Sequence, residues 1–257
     1  MSATIIYLSH GGGPLPLLGD RLHADMVRFL TELGPKLKKP KAIVVISAHW
    51  EQARPTCTAN PQPPLIYDYY GFPPESYTIR YPSPGDRELA FRVASLLDEG
   101  CVDEQRGFDH GMYVPLKLLF PEPSIPTIQL SLLSSLSSEA HYHMGEQLKP
   151  LLDEDLLIIG SGFSFHNMQQ FWKPDDQKNL AFQDYLFATC CNTDDEAARK
   201  AGLVYWEQAP FARYCHPRED HLLPLLVCQG MAGTQATCIF DGPILGRRSL
   251  AFQWERS

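Results

Sequence analysis

Histidine is the side chain best suited to ligate a transition metal or move a proton near neutral pH. Five histidines of this 257-residue chain occupy places where such chemistry is plausible: His10, His49, His110, His166 and His221. Three of them follow apolar runs. Thr4–Leu8 leads into Ser9-His10-Gly11-Gly12-Gly13, Ile43–Ile46 leads into Ser47-Ala48-His49-Trp50, and Leu156–Ile159 leads into Gly160-Ser161-Gly162 and then His166. Short runs rich in β-branched residues read as buried strands. Open α/β sheets place their sites just beyond the carboxyl ends of such strands. Three imidazoles at three strand ends therefore predict convergence on one cleft.

The flanking residues suit a site. Gly11 and Gly12 leave the backbone beside His10 bare, so a flat substrate can approach closely. His221 closes His216-Pro217-Arg218-Glu219-Asp220-His221, where Pro217 and the acidic pair suit a first helical turn before a leucine-rich run. His216 is expected to fix that turn, with a ligand role as the alternative. His110 lies in the glycine-flanked Gly107-Phe108-Asp109-His110-Gly111, a tight loop ahead of a helix over Met112–Phe120. A ligating imidazole needs an orienting partner on its second nitrogen, and Glu51 is a candidate for His49. His23, His141 and His143 are assigned no role in the site.

The elements that position these residues alternate between strand-like and helix-like runs, which predicts an α/β fold. We expect one domain over residues 1–257, with a central, mostly parallel sheet flanked by helices and the metal site at the carboxyl ends of its strands. Helices are predicted over Leu17–Leu33, stopped by Gly34-Pro35, after Ser83-Pro84-Gly85-Asp86, and over Ser138–Leu152. Thr127–Leu130 and Thr237–Phe240 read as strands, and Leu250–Trp254 is expected to close a sheet edge. Between Pro55 and Pro84, ends included, eight prolines exclude a regular helix. The tyrosines there argue for an ordered excursion that walls a pocket rather than a disordered linker.

Composition narrows the function. A net charge of −8 and the lack of a dense Lys/Arg patch argue against a nucleic-acid partner. No apolar stretch approaches the roughly 18 residues that span a bilayer, and no basic leader precedes the first strand. Seven cysteines without paired spacing read as reduced thiols, so a cytoplasmic location is expected. Gly11-Gly12-Gly13-Pro14-Leu15-Pro16 departs from the dinucleotide loop, and no GxSxG, HExxH or GxxxxGK[ST] motif occurs.

Taken in order, Ser9-His10-Gly11-Gly12-Gly13-Pro14, Ser47-Ala48-His49-Trp50-Glu51, Phe108-Asp109-His110-Gly111, Gly160-Ser161-Gly162 with His166-Asn167, and His216-Pro217 with Asp220-His221 form a pattern. It resembles the class III extradiol ring-cleavage dioxygenases, the superfamily of the protocatechuate 4,5-dioxygenase β-subunit, and within it the DOPA 4,5-dioxygenase-like branch. The resemblance implies a non-haem Fe(II) enzyme that opens a catechol ring with O₂. It implies His10, His49 and His221 as metal ligands; His221 stands where protocatechuate-type members carry Glu and the DOPA-type branch carries His. His166 matches the acid/base histidine and is a candidate fourth ligand, as in some zinc-bound relatives. His110 matches a histidine that hydrogen-bonds substrate or oxygen. Gly11, Gly12, Tyr113 and Ser161 are expected to contact substrate, although many relatives carry Trp where this chain has Tyr113. Zn²⁺ fits the same imidazoles but has no redox chemistry. Two other readings stay open on the residues alone: a non-catalytic metal-binding interaction protein of the same fold, and a zinc-dependent hydrolase.

Overall fold

A computed structural model describes residues 2–255. Its strands are β1 (Thr4–Ser9), β2 (Ala42–Gln52), β3 (Thr56–Thr58), β4 (Cys101–Asp103), β5 (Thr127–Leu133), β6 (Leu156–Gly162), β7 (Thr237–Ile244) and β8 (Arg247–Trp254). Its α-helices are α1 (Ala24–Leu33), α2 (Arg87–Leu96), α3 (His110–Leu119), α4 (Ser138–Gln147), α5 (Gln177–Phe187), α6 (Glu196–Val204), α7 (Ala212–Cys215) and α8 (Leu223–Ala232). The strands form one sheet in the order β4-β3-β5-β2-β6-β1-β8-β7. Its centre, β5-β2-β6-β1, is parallel; β8 and β7 continue it antiparallel at one side, and β3 pairs antiparallel with β5 at the other. This is the mostly parallel α/β sheet that the alternating runs predict.

Burial explains why the central strands read as unbroken apolar runs. β6 is buried along its whole length, and β1 along all but its first residue, because helices cover both faces of a parallel sheet. The pairing puts Ser9 beside Gly162 and Ser47 beside Ser161. The carboxyl ends of three strands thus lie level, and the histidines that follow them share one edge of the sheet. β2 differs from the expectation: it does not stop before His49 but continues through it, with a register shift against β5 between Ile46 and Glu51. A bulge of this kind re-aims the side chains it contains.

Other differences have local causes. The helix expected from Leu17 starts only at Ala24. Gly19 takes a left-handed conformation (φ 75°), which splits the preceding segment into two 3-10 turns, Leu15–Leu18 and Arg21–His23. The helix expected through Leu152 ends at Gln147 and resumes as a 3-10 turn over Lys149–Asp153, with Pro150 at its start. Asp86 rather than Ser83 caps α2, accepting from the Leu89 amide at 2.9 Å. β8 does not close the sheet edge; it lies between β1 and β7, and β7 is the edge. The proline-rich excursion is pinned by tyrosine hydroxyls that donate to backbone carbonyls: Tyr67 to Ile79 and Tyr69 to Ser76, both at 2.7 Å, and Tyr81 to Phe120 at 2.9 Å. Among the described residues, no helix is long and apolar enough to cross a membrane.

Two buried histidines outside the cleft serve the fold. His141 donates to Ser137 O at 2.7 Å and accepts from the Leu133 amide at 3.0 Å, joining α4 to β5. His216 donates to Ser164 O at 2.9 Å and packs against Phe182 and Trp206, as the turn-fixing role requires. Burial pushes both imidazoles down from 6.5 to about 4. The unfolded chain therefore binds more protons than the folded one between these values, so stability is lost as pH falls from about 6.5 to about 4. The expected loss is about 3 kcal/mol per histidine at about 1.4 kcal/mol per pKa unit. Urea unfolding at pH 7 and pH 4.5, repeated with His141→Gln, measures it; the variant is expected to show the shallower pH dependence.

Candidate metal centre

His10 emerges directly from β1, its amide bonded to Gly162 O at 3.3 Å. Its Nδ1 lies 3.0 Å from Ser161 Oγ. The Ser161 hydroxyl donates onward to Gly111 O, so it accepts from His10 Nδ1–H. That arrangement fixes the tautomer and leaves the Nε2 lone pair of His10 facing the cleft. His49, on the bulged part of β2, meets it with Nε2 at 2.9 Å and turns Nδ1 toward Asp68 Oδ2 at 3.7 Å. His221 sits in the turn before α8. Its carbonyl accepts from the Tyr7 hydroxyl at 3.0 Å and the Phe163 amide at 2.9 Å. One ring nitrogen from each of His10, His49 and His221 lies within 4.8 Å of the others.

These residues fit a metal ion. Burial and the neighbouring imidazoles push His10 and His49 well below the ordinary histidine range, so both are neutral, the ligating form. With Nδ1 of His10 donating to Ser161, its Nε2 offers a lone pair 2.9 Å from Nε2 of His49, so the two nitrogens are close enough to share one cation.

His110 begins α3. Its amide (3.0 Å) and its Nδ1 (2.8 Å) both bond Asp68 Oδ1, so Nε2 is the nitrogen free for the cleft. Its ring centroid stands 3.9 Å from that of His49. His166 reaches the site from beyond β6, its amide bonded to Cys215 O at 2.9 Å. Its ring stacks on His221 at 3.4 Å and 10°. Burial first, and then the His221 imidazole, holds His166 well below the usual range, so it is neutral and keeps a free lone pair. Asp220 stands 3.1 Å from His221 Nδ1. Burial alone would raise its carboxyl, but His221, His166 and Arg218 outweigh that and hold it low.

All five histidines line one cavity of about 410 Å³. Gly11 and Gly12 line it too. Ser161 and Tyr113 stand behind its wall. Ser161 is fully buried and its hydroxyl is taken up by His10 and Gly111, so it orients His10 instead of lining the cavity. Tyr113 is also fully buried, and its hydroxyl donates to Tyr69 at 3.0 Å; Tyr69 is the residue that faces the cavity. Glu51 does not orient His49. It forms a two-pronged ion pair with Arg218 at 2.6 and 2.8 Å, and Arg218 in turn holds Asp220 at 2.9 Å.

Two contributors are absent from the sequence reading. Asp68, from the proline-rich excursion, clamps His110 with two hydrogen bonds and stands 3.7 Å from His49 Nδ1; its signal in the sequence is a lone acid between Tyr67 and Tyr69. His23 accepts the Gly12 amide on Nε2 at 3.0 Å and bonds Asp20 through Nδ1 at 2.7 Å, which sets the glycine loop beside His10. The N–H of Gly12 is thereby spent, so the loop offers substrate a flat surface and no donor there.

Two substitutions test this construction. A Cβ on Gly162 would lie 2.1 Å from His221 O, which two hydrogen bonds fix in place. Gly162→Ala is expected to cost about 3 kcal/mol of stability and to weaken metal binding, read by thermal melts with and without metal. Asp68→Asn keeps the shape but loses the charge that orients two imidazoles. It is expected to weaken metal affinity by about 10- to 100-fold with the melting temperature of the metal-free protein unchanged, read by calorimetric metal titration.

Comparison with known proteins agrees with this geometry. Residues 4–243 match the family model described as the catalytic LigB subunit of aromatic ring-opening dioxygenase. The chain is 39% identical to the dioxygenase tasH of Hapsidospora irregularis over 90% of its length and 78% of that protein. It is 38% identical to a 4,5-DOPA dioxygenase extradiol of Beta vulgaris, covering 96% of this chain and 95% of that one. A crystal structure of an uncharacterized Escherichia coli K12 protein superposes with a TM-score of 0.79 at 29% identity, over 98% of this chain and 99% of that one. The chain belongs to the LigB family of metal-dependent aromatic ring-opening dioxygenases, and it is an extradiol ring-cleaving dioxygenase.

Proposed function

We propose that residues 1–257 act as one catalytic domain that uses Fe(II) to open the ring of a catechol, DOPA or a related compound, with O₂. The observation that carries this reading is the set of three imidazole nitrogens within 4.8 Å at the floor of a cavity large enough for a substituted ring. His10, His49 and His221 hold the ion. When bound, Fe(II) supplies a Lewis acid that acidifies the catechol hydroxyls and a redox-active centre for O₂, which Zn²⁺ on the same residues lacks.

The chain does the rest. His166, neutral and stacked on His221, accepts a hydroxyl proton and returns it during ring opening. Its neutrality suits it to this role or to a fourth position on the ion. Asp68 holds His110 by Nδ1, so that Nε2 points into the cavity, where it can hydrogen-bond a substrate hydroxyl. Gly11 and Gly12 supply the flat wall for the ring. Seven free thiols fit the reducing cytoplasm.

The test is oxygen uptake by anaerobically purified, ferrous-loaded protein over a panel of catechols. Uptake with a yellow semialdehyde product, and silence when Zn²⁺ replaces Fe(II), are expected. No uptake from ferrous-loaded protein with any catechol overturns the proposal.

A further inference from the structure

The catalytic cavity is chemically divided. Its floor carries the five histidines and Asp68. Its upper walls are apolar: Phe72, Phe171 and Leu245, with Tyr70, Met168 and Trp172 at the rim. Those three rim side chains are large and solvent-exposed, at 92%, 61% and 56%. Exposed apolar groups gathered around one opening mark a binding surface rather than ordinary scatter. No Lys or Arg is among the described residues that line the cavity, and Asp68 is the one Asp or Glu there.

Trp172 adds a second, independent observation. Its backbone is left-handed, φ 63°, a conformation that a bulky residue adopts only at a cost in energy. A hydrogen bond from its amide to Leu245 O at 2.9 Å holds it there, and its ring lies edge-on to Phe171 at 5.9 Å. The fold thus spends backbone strain to keep an indole at the cavity mouth.

A substituent on a ring seated over the histidines must run along these walls. A carboxylate drawn in there would lose water and meet no Lys or Arg, only the neutral donors of Tyr70 and Trp172 at the rim, which is costly. An alkyl or aryl group would bury apolar surface against rings and a flexible thioether. We infer that this dioxygenase selects catechols whose ring substituent is apolar and uncharged over those whose substituent bears a carboxylate. The inference rests on the catechol reading above and narrows it: DOPA is accepted poorly relative to alkyl or aryl catechols.

The test uses a pair matched in length, 4-propylcatechol and 3-(3,4-dihydroxyphenyl)propionate, with DOPA as a third substrate. With ferrous-loaded protein, kcat/KM is expected to be about tenfold or more higher for the propyl compound, the scale on which one unpaired polar group is rejected. Equal or greater efficiency with either carboxylate overturns the inference and leaves the dioxygenase reading intact. Oxygen uptake with none of the three overturns the catechol reading. The preference is then read without turnover, by anaerobic calorimetric titration of zinc-loaded protein with the same compounds. Tighter binding of the propyl compound supports the inference, and equal, reversed or absent binding overturns it. Met168→Arg places a cation on the exposed rim. It is expected to move the efficiency ratio about tenfold toward the carboxylates, and an unchanged ratio overturns the assignment of selectivity to this rim.

Discussion

His49→Ala is expected to abolish both metal binding and ring cleavage. The imidazole is one of three donors within 4.8 Å, and its Nε2 opposes that of His10 at 2.9 Å. With His10, His49 and His221 as the proposed ligands, its loss would leave two donors in this set, too few to hold the ion with adjacent positions open for substrate. A metal centre stabilises charge in the transition state by several kcal/mol, so a fall of about a thousandfold or more in kcat/KM is expected. Metal analysis of anaerobically purified variant, alongside oxygen uptake, checks it. Folding should persist, because His49 is only half-buried and its side chain joins no core contact that the sheet needs. Full activity with one equivalent of iron retained would remove His49 from the ligand set.

His166→Gln is expected to separate chemistry from metal binding. Its ring stacks on His221 but makes no side-chain hydrogen bond among the described residues, so its neutral nitrogen is uncommitted. Loss of a positioned acid/base typically costs about 10² to 10⁴ in rate. We expect a fall of that order in kcat, with KM and iron stoichiometry little changed. The pH profile should also lose the limb that reflects protonation of this residue at acid pH. Loss of the metal along with activity would instead assign His166 as a fourth ligand.

The gathering of the histidines in one cavity was legible in the chain because it depends on residue type at strand ends. Apolar, β-branched runs identify buried parallel strands, a strand has a defined carboxyl end, and a histidine there has one edge of the sheet to face. His10 and His166 follow directly from that logic, and the leucine-rich run after His221 marks the helix that carries it. Helix ends were less legible: Gly19 and Pro150 each break a run that periodicity alone continues.

What the linear order left undecided is everything that depends on which elements become neighbours. Asp68 lies 42 residues from His110 and finds it only because the tyrosine-pinned excursion folds over the sheet edge. Ser161 and Tyr113 look like wall residues in sequence, yet strand pairing and helix packing turn one onto His10 and the other onto Tyr69. Glu51, next but one to His49, is claimed by Arg218 from across the molecule, since a bidentate guanidinium is a better partner for an exposed carboxylate than a neutral imidazole. Side-chain type fixes what a residue is able to do, and sequence spacing fixes which face of its own element it occupies. Its partner is chosen by the packing of distant segments, and that choice exists only once the chain has closed on itself.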